Sequence, residues 1–215
     1  NIVTILPISR ELLESPEGNY LLFATKLGLI KKTRLEEYVR INRNGKYALR
    51  FKLDGDSLVN VRCGNDDSDI VMISSTGFAS RFACQKIRAS GRVSAGVYGI
   101  KTGNRKGADG GHVVGMIATD NTETQILTIT KNGMAKRSRL GTAEKIPDLD
   151  SDGVQKVDSE TGELKLRTDG YRKTNPGAKG AFTMNIDHEE NDEIISARHI
   201  PNLEDNIFVL TKKGM

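Results

Sequence analysis

The sequence predicts an all-β repeat protein built from four-stranded units that stack radially, as propeller blades do. Three observations lead there. A short phrase recurs as "TKLGLIKKT" at 25–33, "SSTGFASRF" at 74–82, "TKNGMAKRS" at 130–138 and "TKKGM" at 211–215. An alternating apolar run precedes each copy ("YLLFAT", "IVMISS", "ILTITK", "IFVLTK"), which is the period-2 mark of a strand entering a hairpin turn. The turn glycines Gly28, Gly77, Gly133 and Gly214 stand 49, 56 and 81 residues apart, and a fixed spacing on that scale marks a repeat architecture. Stripes of 3.6-residue period long enough for a helical solenoid are lacking.

Taken in order, residues 1–19 hold "NIVTILPIS", which matches the closing element of later units, and "SRELLESPEG" at 9–18, a helical turn between units. They are expected to be the tail of a preceding blade and a linker. The first complete blade in the chain spans 20–69, with a further short turn at "TRLEEY", and the parent's own first blade is expected to lie before it. A second register mark follows each hairpin: "RNGKYALRFKL" at 43–53, "SAGVYGIKT" at 94–102 and "GAKGAFTMNI" at 177–186. From first to second glycine (Gly45, Gly96, Gly180) the distances are 17, 19 and 47, so the third unit carries an insert between Gly141 and Gly170. The second blade covers 70–125. The third covers 126–206, with an acidic insert at about 142–169, and 207–215 begins another. Each unit closes on an apolar stretch, "DSLVNV", "HVVGMI" or "EIISARHI".

Hydrophobic residues at 37% and charged residues at 28% suit a globular chain of 215 residues in one or two domains. No run of eighteen apolar residues exists, so no membrane-spanning helix is expected, and no cleavable leader is recognisable. The chain opens on Asn1 without a methionine and stops inside a repeat, and so reads as a fragment of something longer. Cys63 and Cys84 are too few for a disulfide framework and lack zinc spacing. They read as reduced thiols of a cytosolic protein. Trp is absent and only eleven residues are Phe or Tyr, which argues against a surface that stacks unpaired bases.

The net charge of +4 says less than its distribution. Residues 20–50 carry eight bases and two acids, whereas 51–69 carry two bases and five acids. The pattern returns with seven bases and one acid over 70–111, then two acids and no base over 112–130. In the third unit, 131–139 and 171–183 hold four and three bases without an acid, and 184–206 holds one base and seven acids. Charge alternates in phase with the fold. Radial stacking then gathers the basic segments on one rim, each hairpin turn presenting its lysine pair outward. Mixed surface charge on a soluble repeat is the competing account. A cationic band without interleaved aromatics suits duplex phosphates better than bases.

Catalytic constellations are not evident. His112, His188 and His199 are isolated, and no H-E-x-x-H, G-x-S-x-G or P-loop occurs. "GNRKGADGG" at 103–111 is either a phosphate-wrapping loop using Arg105 and Lys106 or a plain connector. Asp148, Asp150 and Asp152 before Gly153 match half of a calcium loop, but Ser159 occupies the place of the bidentate Glu and Glu160 stands one residue late. A solvated acidic loop is the expectation, with no metal and no cofactor. With eight acids and four bases over 140–170, the insert could also compete with DNA for the rim.

"FATKLGLIKKTRLEEY", "RNGKYALRFKLDGDSLVNV", "MISSTGFASRF" and "GVYGIKTG…HVVGM" together resemble the C-terminal domain of the bacterial DNA gyrase A protein, with the topoisomerase IV counterpart a close relative. The likeness covers the chain apart from the insert. It implies a β-pinwheel, a propeller-like ring whose blades exchange a strand with their neighbours and whose basic outer rim bends double-stranded DNA. Partners implied are the ATPase subunit together with the catalytic domains of the same polypeptide, in the cytoplasm with the nucleoid. The DNA-cleaving tyrosine lies in another domain of that enzyme, and none of the five tyrosines here is a candidate. Candidate DNA contacts are Lys26, Lys31, Lys32, Arg34, Arg43 and Lys46 in the first unit. The second offers Arg81, Lys86, Arg88, Arg92, Arg105 and Lys106, and the third Lys131, Lys136, Arg137, Arg139, Arg172, Lys173 and Lys179. The family's Gln-Arg-Arg-Gly-Gly-Lys-Gly box is absent, and "YRKTNPGAKG" at 171–180 is the nearest stretch. The alternative function is a propeller-like scaffold that binds an acidic protein partner.

Overall fold

In the computed structural model, residues 2–40, 42–102, 110–186, 192–202 and 204 are described. Three hairpins organise the described residues: β1 (Asn19–Thr25) with β2 (Leu29–Arg34), β4 (Asp69–Ser74) with β5 (Phe78–Ala83), and β8 (Gln125–Thr130) with β9 (Ala135–Arg139). A third strand then returns along the first: β3 (Leu58–Asn65) on β1, β7 (Val113–Thr119) on β4, and β13 (Ile194–Ile200) on β8. These return strands pack against one another, β3 on β7 and β7 on β13, and so form the inner edges of three fanned sheets.

The recurring phrase is a turn code. Thr25, Ser74 and Thr130 each accept the backbone N–H four residues on, at 3.1, 3.3 and 3.1 Å, through the side-chain hydroxyl. The same residues' carbonyls accept the turn-glycine N–H at 3.2, 3.2 and 3.1 Å. Gly28, Gly77 and Gly133 sit at φ of +94°, +89° and +92°, the left-handed position that closes a three-residue hairpin loop and that glycine fills without strain.

The outer edges are filled from elsewhere in the chain. The short strand β6 (Val97–Tyr98) follows β5 in sequence yet pairs with β2, Leu29 opposite Tyr98 and Ile30 opposite Val97. Likewise β12 (Ala181–Phe182) follows β9 yet pairs with β5. The sheets therefore run β3-β1-β2-β6 and β7-β4-β5-β12, whereas the third, β13-β8-β9, has three strands among the described residues. This is the strand exchange of a β-pinwheel. Where an exchanged segment arrives, its backbone crowds the turn: a Cβ on Gly28 would meet Ile100 O at 2.4 Å, and one on Gly77 would meet Met184 O at 2.6 Å. Beside Gly133 there is open space.

Burial follows the stacking. Every residue of β4 is buried, because Ile70 and Met72 face sheet one alongside Leu22, Ile30 and Ile100, while Val71 and Ile73 face sheet three alongside Ile126, Tyr171 and Ile194. A third cluster, Leu21, Phe23, Leu35, Tyr38 and Val61, closes the outside of sheet one beneath α1 (Arg10–Glu14) and α2 (Glu36–Val39). Both helices lie where the sequence places them, and Ser9 caps α1 by accepting from Leu12 N at 3.3 Å. Two apolar segments form no strand. Residues 2–9 have no regular structure and leave Ile2 and Ile5 exposed, and 43–53 run as an irregular segment along the outside. Segment 207–215 lies outside the described residues.

The turn geometry separates two costs. Gly133→Ala should lose about 1 kcal/mol from backbone strain alone. Gly77→Ala should lose roughly 2 kcal/mol more, because Met184 O must also move. Urea denaturation of the two variants checks the ordering.

Candidate nucleic-acid interface

Three segments outside the hairpins make one continuous surface. Arg50 N donates to Ser94 O at 3.3 Å, which joins 43–50 to 86–101. Gly177 N donates to Gly99 O at 3.0 Å and Lys101 N to Ala178 O at 3.2 Å, which joins 86–101 to 171–180. These segments contain Arg43, Lys46, Arg50, Lys86, Arg88, Arg92, Lys101, Arg172, Lys173 and Lys179, and no Asp or Glu at all. They lie at the outer edges of the sheets, on the wider arc of the fan. Acids of other segments reach it at Arg92, 3.5 Å from Glu37, and at Lys173, 3.1 Å from Asp69, and the excess of cations that is left has a field that selects polyanions. Arg50 and Lys101 were absent from the candidates read from the sequence, although both sit inside the second register marks.

Three of the sequence candidates are buried. Lys31, Lys32 and Arg81 are 1%, 3% and 0% exposed, so the expectation that each turn presents its basic pair outward fails in the first two units, whereas Lys136 and Arg137 of the third are exposed. The reason is the strand exchange, which covers this position and turns each cation into an inter-unit staple. Lys31 Nζ donates to Ala48 O at 2.6 Å and to Arg92 O, clamping two outer segments onto β2. Lys32 Nζ bonds the Asp66 carboxylate and Cys84 O, 3.9 Å from the centroid of the Tyr20 ring. The Arg81 guanidinium binds Asp69 through Nε at 2.9 Å, and its Nη1 donates to the carbonyls of Leu140, Gly141 and Tyr171 at 2.8–2.9 Å. Removing one partner from a buried pair strands the other.

Of the remaining candidates, Lys26, Arg34, Arg43, Arg88, Lys131 and Arg137 are exposed, with neither a side-chain hydrogen bond nor an ion pair among the described residues. Lys46 donates to Glu37 O, Arg92 lies 3.5 Å from the Glu37 carboxylate, and Lys86 bonds Asn175 at 2.8 Å. Lys136 reaches Thr183 O at 2.8 Å, and Arg139 pairs with Glu123 at 3.0 Å. Arg172 is exposed, Lys173 sits 3.1 Å from Asp69, and Lys179 lies 4.5 Å from the centroid of the Phe78 ring. Arg105 and Lys106 lie outside the described residues.

The surface is not free of aromatics either, which corrects the reading from composition. Tyr47, Tyr98 and Phe182 each stand two residues after a second-mark glycine and are 83%, 54% and 45% exposed. The calcium half-motif is otherwise engaged. Asp148 pairs with Lys156 at 3.2 Å, and Asp150 Oδ1 accepts from Asp152 N and Val154 N at 2.9 Å. Among the described residues no group of three His, Cys, Asp or Glu could hold a metal, and no helix is long and apolar enough to cross a membrane. His112 donates its backbone N–H to Ser75, and His199 contacts Thr124 at 2.6 Å, with burial holding its pKa below the ordinary histidine value. His188 lies outside the described residues.

Strand-exchanged sheets fanned about an inner edge, with a cationic outer band, define a β-pinwheel domain of the kind found in type IIA topoisomerases. The chain belongs to the DNA gyrase C-terminal domain, beta-propeller family, whose model matches residues 19–65, 68–120 and 124–152. The DNA gyrase A protein of Staphylococcus epidermidis (strain ATCC 12228 / FDA PCI 1200) is 34% identical over 204 residues, covering 94% of this chain and 19% of that protein. Its counterpart from Staphylococcus aureus (strain MRSA252) is 32% identical over 200 residues, covering 93% and 18%. The chain thus spans about a fifth of the length of the relatives it matches. Two solved structures share the fold. The C-terminal domain of DNA topoisomerase IV has a TM-score of 0.57 at 21% identity, over 92% of this chain and 65% of that one. The DNA gyrase A C-terminal domain has a TM-score of 0.50 at 20% identity, over 85% and 66%.

The staples give two stability predictions. Arg81→Met should cost about 3–5 kcal/mol, since Asp69 and three carbonyls lose their donor; chemical denaturation reads this directly. Burial pushes the Lys31 ammonium down from 10.5 to about 8, with the Glu37 carboxylate opposing the shift. Between those values the unfolded chain binds the extra proton, so folding becomes more favourable as pH rises through this window. Wild type should therefore gain stability relative to Lys31→Met between pH 8 and pH 10, measured by paired urea titrations.

Proposed function

We propose that the chain binds duplex DNA without sequence preference and bends it along its outer surface, as part of the DNA-cleaving polypeptide of a type IIA topoisomerase. The observation that carries this reading is the band of ten bases on three segments that hold no acid of their own and are joined by backbone hydrogen bonds. Its bases are long, flexible side chains, which suit phosphates spaced along a backbone more than base edges. Bending a site of 20–30 bp by 40–90° costs about 1–6 kcal/mol, and about six to ten phosphate contacts offset that through counterion release. Wrapping in a fixed sense would deliver an adjacent DNA segment to the strand-passage centre and support supercoiling. Cleavage belongs to the catalytic domains of the same polypeptide and ATP hydrolysis to the ATPase subunit, its partners in a bacterial cytoplasm. No cofactor enters this reading.

A scaffold that binds an acidic protein would use the same charge but would have no dependence on duplex length. Salt dependence separates structural cations from contacting ones. Replacing Arg43, Arg50, Arg88 and Lys101 by Ala should flatten the plot of log K against log salt by roughly 0.9 per lost contact. Binding to unrelated duplexes of increasing length, titrated at several salt concentrations, provides the measurement. An unchanged slope, or affinity indifferent to duplex length, would remove the assignment.

A further inference from the structure

The insert is a small three-way β-junction with two chemically distinct faces. Strand β10 (Lys145–Pro147) pairs with β11 (Leu166–Thr168) at its stem. Beyond the stem, Asp148 N donates to Lys165 O, Lys165 N to Lys156 O, and Lys156 N to Asp148 O, a closed ring of bonds at 2.7–3.0 Å. Bridges Leu149–Gln155 and Val157–Leu164 continue the two short arms. Opposed residues, and residues two apart, share a face. One face therefore carries Pro147, Leu149, Gln155, Val157, Leu164 and Leu166, with the pair Lys145 and Thr168 at the base of the stem. The opposite face carries Asp148, Lys156, Asp158 and Lys165, whose charges pair with one another at 3.2 and 3.4 Å.

No described residue covers the apolar face. Leu149, Val157, Leu164 and Leu166 are 49–61% exposed, more contiguous apolar surface than an appendage of this size needs for its own fold. Among the described residues no segment folds over it, and both ends of the stem are fixed: Arg81 holds the carbonyls of Gly141 and Tyr171, and Asp169 accepts from Thr142 N at 2.8 Å. The unpaired charges at its two turns are acidic, Asp150 and Asp152 at one and Glu160 at the other. DNA is excluded as an occupant by sign. A second insert is disfavoured too, since it would bring like-charged turns together.

The chain itself offers a surface of the complementary chemistry. Tyr47, Val97 and Tyr98 are exposed on the outer segments that carry Arg43, Lys46 and Arg50 in one and Arg88 and Lys101 in the other, joined by the bond from Arg50 N to Ser94 O. We propose that the apolar, acid-tipped face of the insert docks on this band of a second copy of the chain. The contact buries aliphatic groups against the exposed tyrosines and sets Asp150, Asp152 and Glu160 against arginine and lysine. It goes beyond the duplex-binding reading and is tested without DNA.

Sedimentation equilibrium of the chain, across concentration and salt, supplies the test. Wild type is expected to self-associate reversibly, more weakly as salt rises. Val157→Ser combined with Leu164→Ser, and separately Arg50→Glu, should each raise the dimer dissociation constant at least tenfold, with circular dichroism confirming that both variants are folded. Mixing the two variants should restore association, because one supplies an intact band and the other an intact insert. A chain that stays monomeric at every concentration overturns the proposal. So does association that survives Arg50→Glu, which would mean that inserts pair with each other.

Discussion

The open outer edge of each hairpin is the constraint from which the rest of the molecule follows. A two-stranded hairpin leaves a row of unpaired backbone groups on its second strand and one uncovered face, and neither is stable alone. β2 and β5 are completed by segments that arrive from the following unit. Consecutive sheets are therefore stitched together by backbone pairing as well as by apolar contact. Gly28 and Gly77 then serve twice, once for a left-handed turn and once for the close passage of the arriving carbonyl. Gly133 makes the same turn beside open space, so its glycine answers only the first demand.

The same coverage decides what a basic residue does. Counting four residues from the turn glycine gives Lys32, Arg81 and Arg137, one cation per repeat. In the first two units an exchanged strand pairs along the edge, and the cation is enclosed and bonded to carboxylate and carbonyl oxygens. In the third unit β9 has no outer neighbour among the described residues, and Arg137 stays exposed. Identical sequence positions thus become staples or surface charges according to whether a segment far along the chain comes to cover them.

That contrast explains how much was legible beforehand. Turns, strands and the insert could be read because each is encoded within a few residues: a hydroxyl or glycine at a fixed offset and an alternating apolar run. The strand exchange entered only through family resemblance, since Val97 and Tyr98 look no different whether they pair with their own hairpin or the preceding one. Burial of Lys31, Lys32 and Arg81 depends on that non-local choice, and charge counting treated them as solvent-facing. The acid-free composition of the outer segments was visible, whereas Arg50 and Lys101 were passed over because they fall at the ends of apolar register marks. Tyr47, Tyr98 and Phe182 were hidden by a low aromatic total, although their offset from the second glycine is constant.

An acidic appendage and a nucleic acid that both need the same cations are coupled whether or not they touch. If each occupies the 43–50 and 86–101 segments, binding of one lowers the affinity for the other by an equal factor, as linkage requires. The two differ in how they hold on. Duplex DNA presents a charge about every 1.7 Å of axis and gains from counterion release, whereas the insert brings three unpaired acids and a patch of aliphatic surface. Salt weakens the first far more steeply than the second, because burial of leucine and valine is not screened. Low salt therefore favours DNA on the band and high salt favours the insert, so the occupant of the rim depends on ionic strength without any rearrangement of the sheets beneath it.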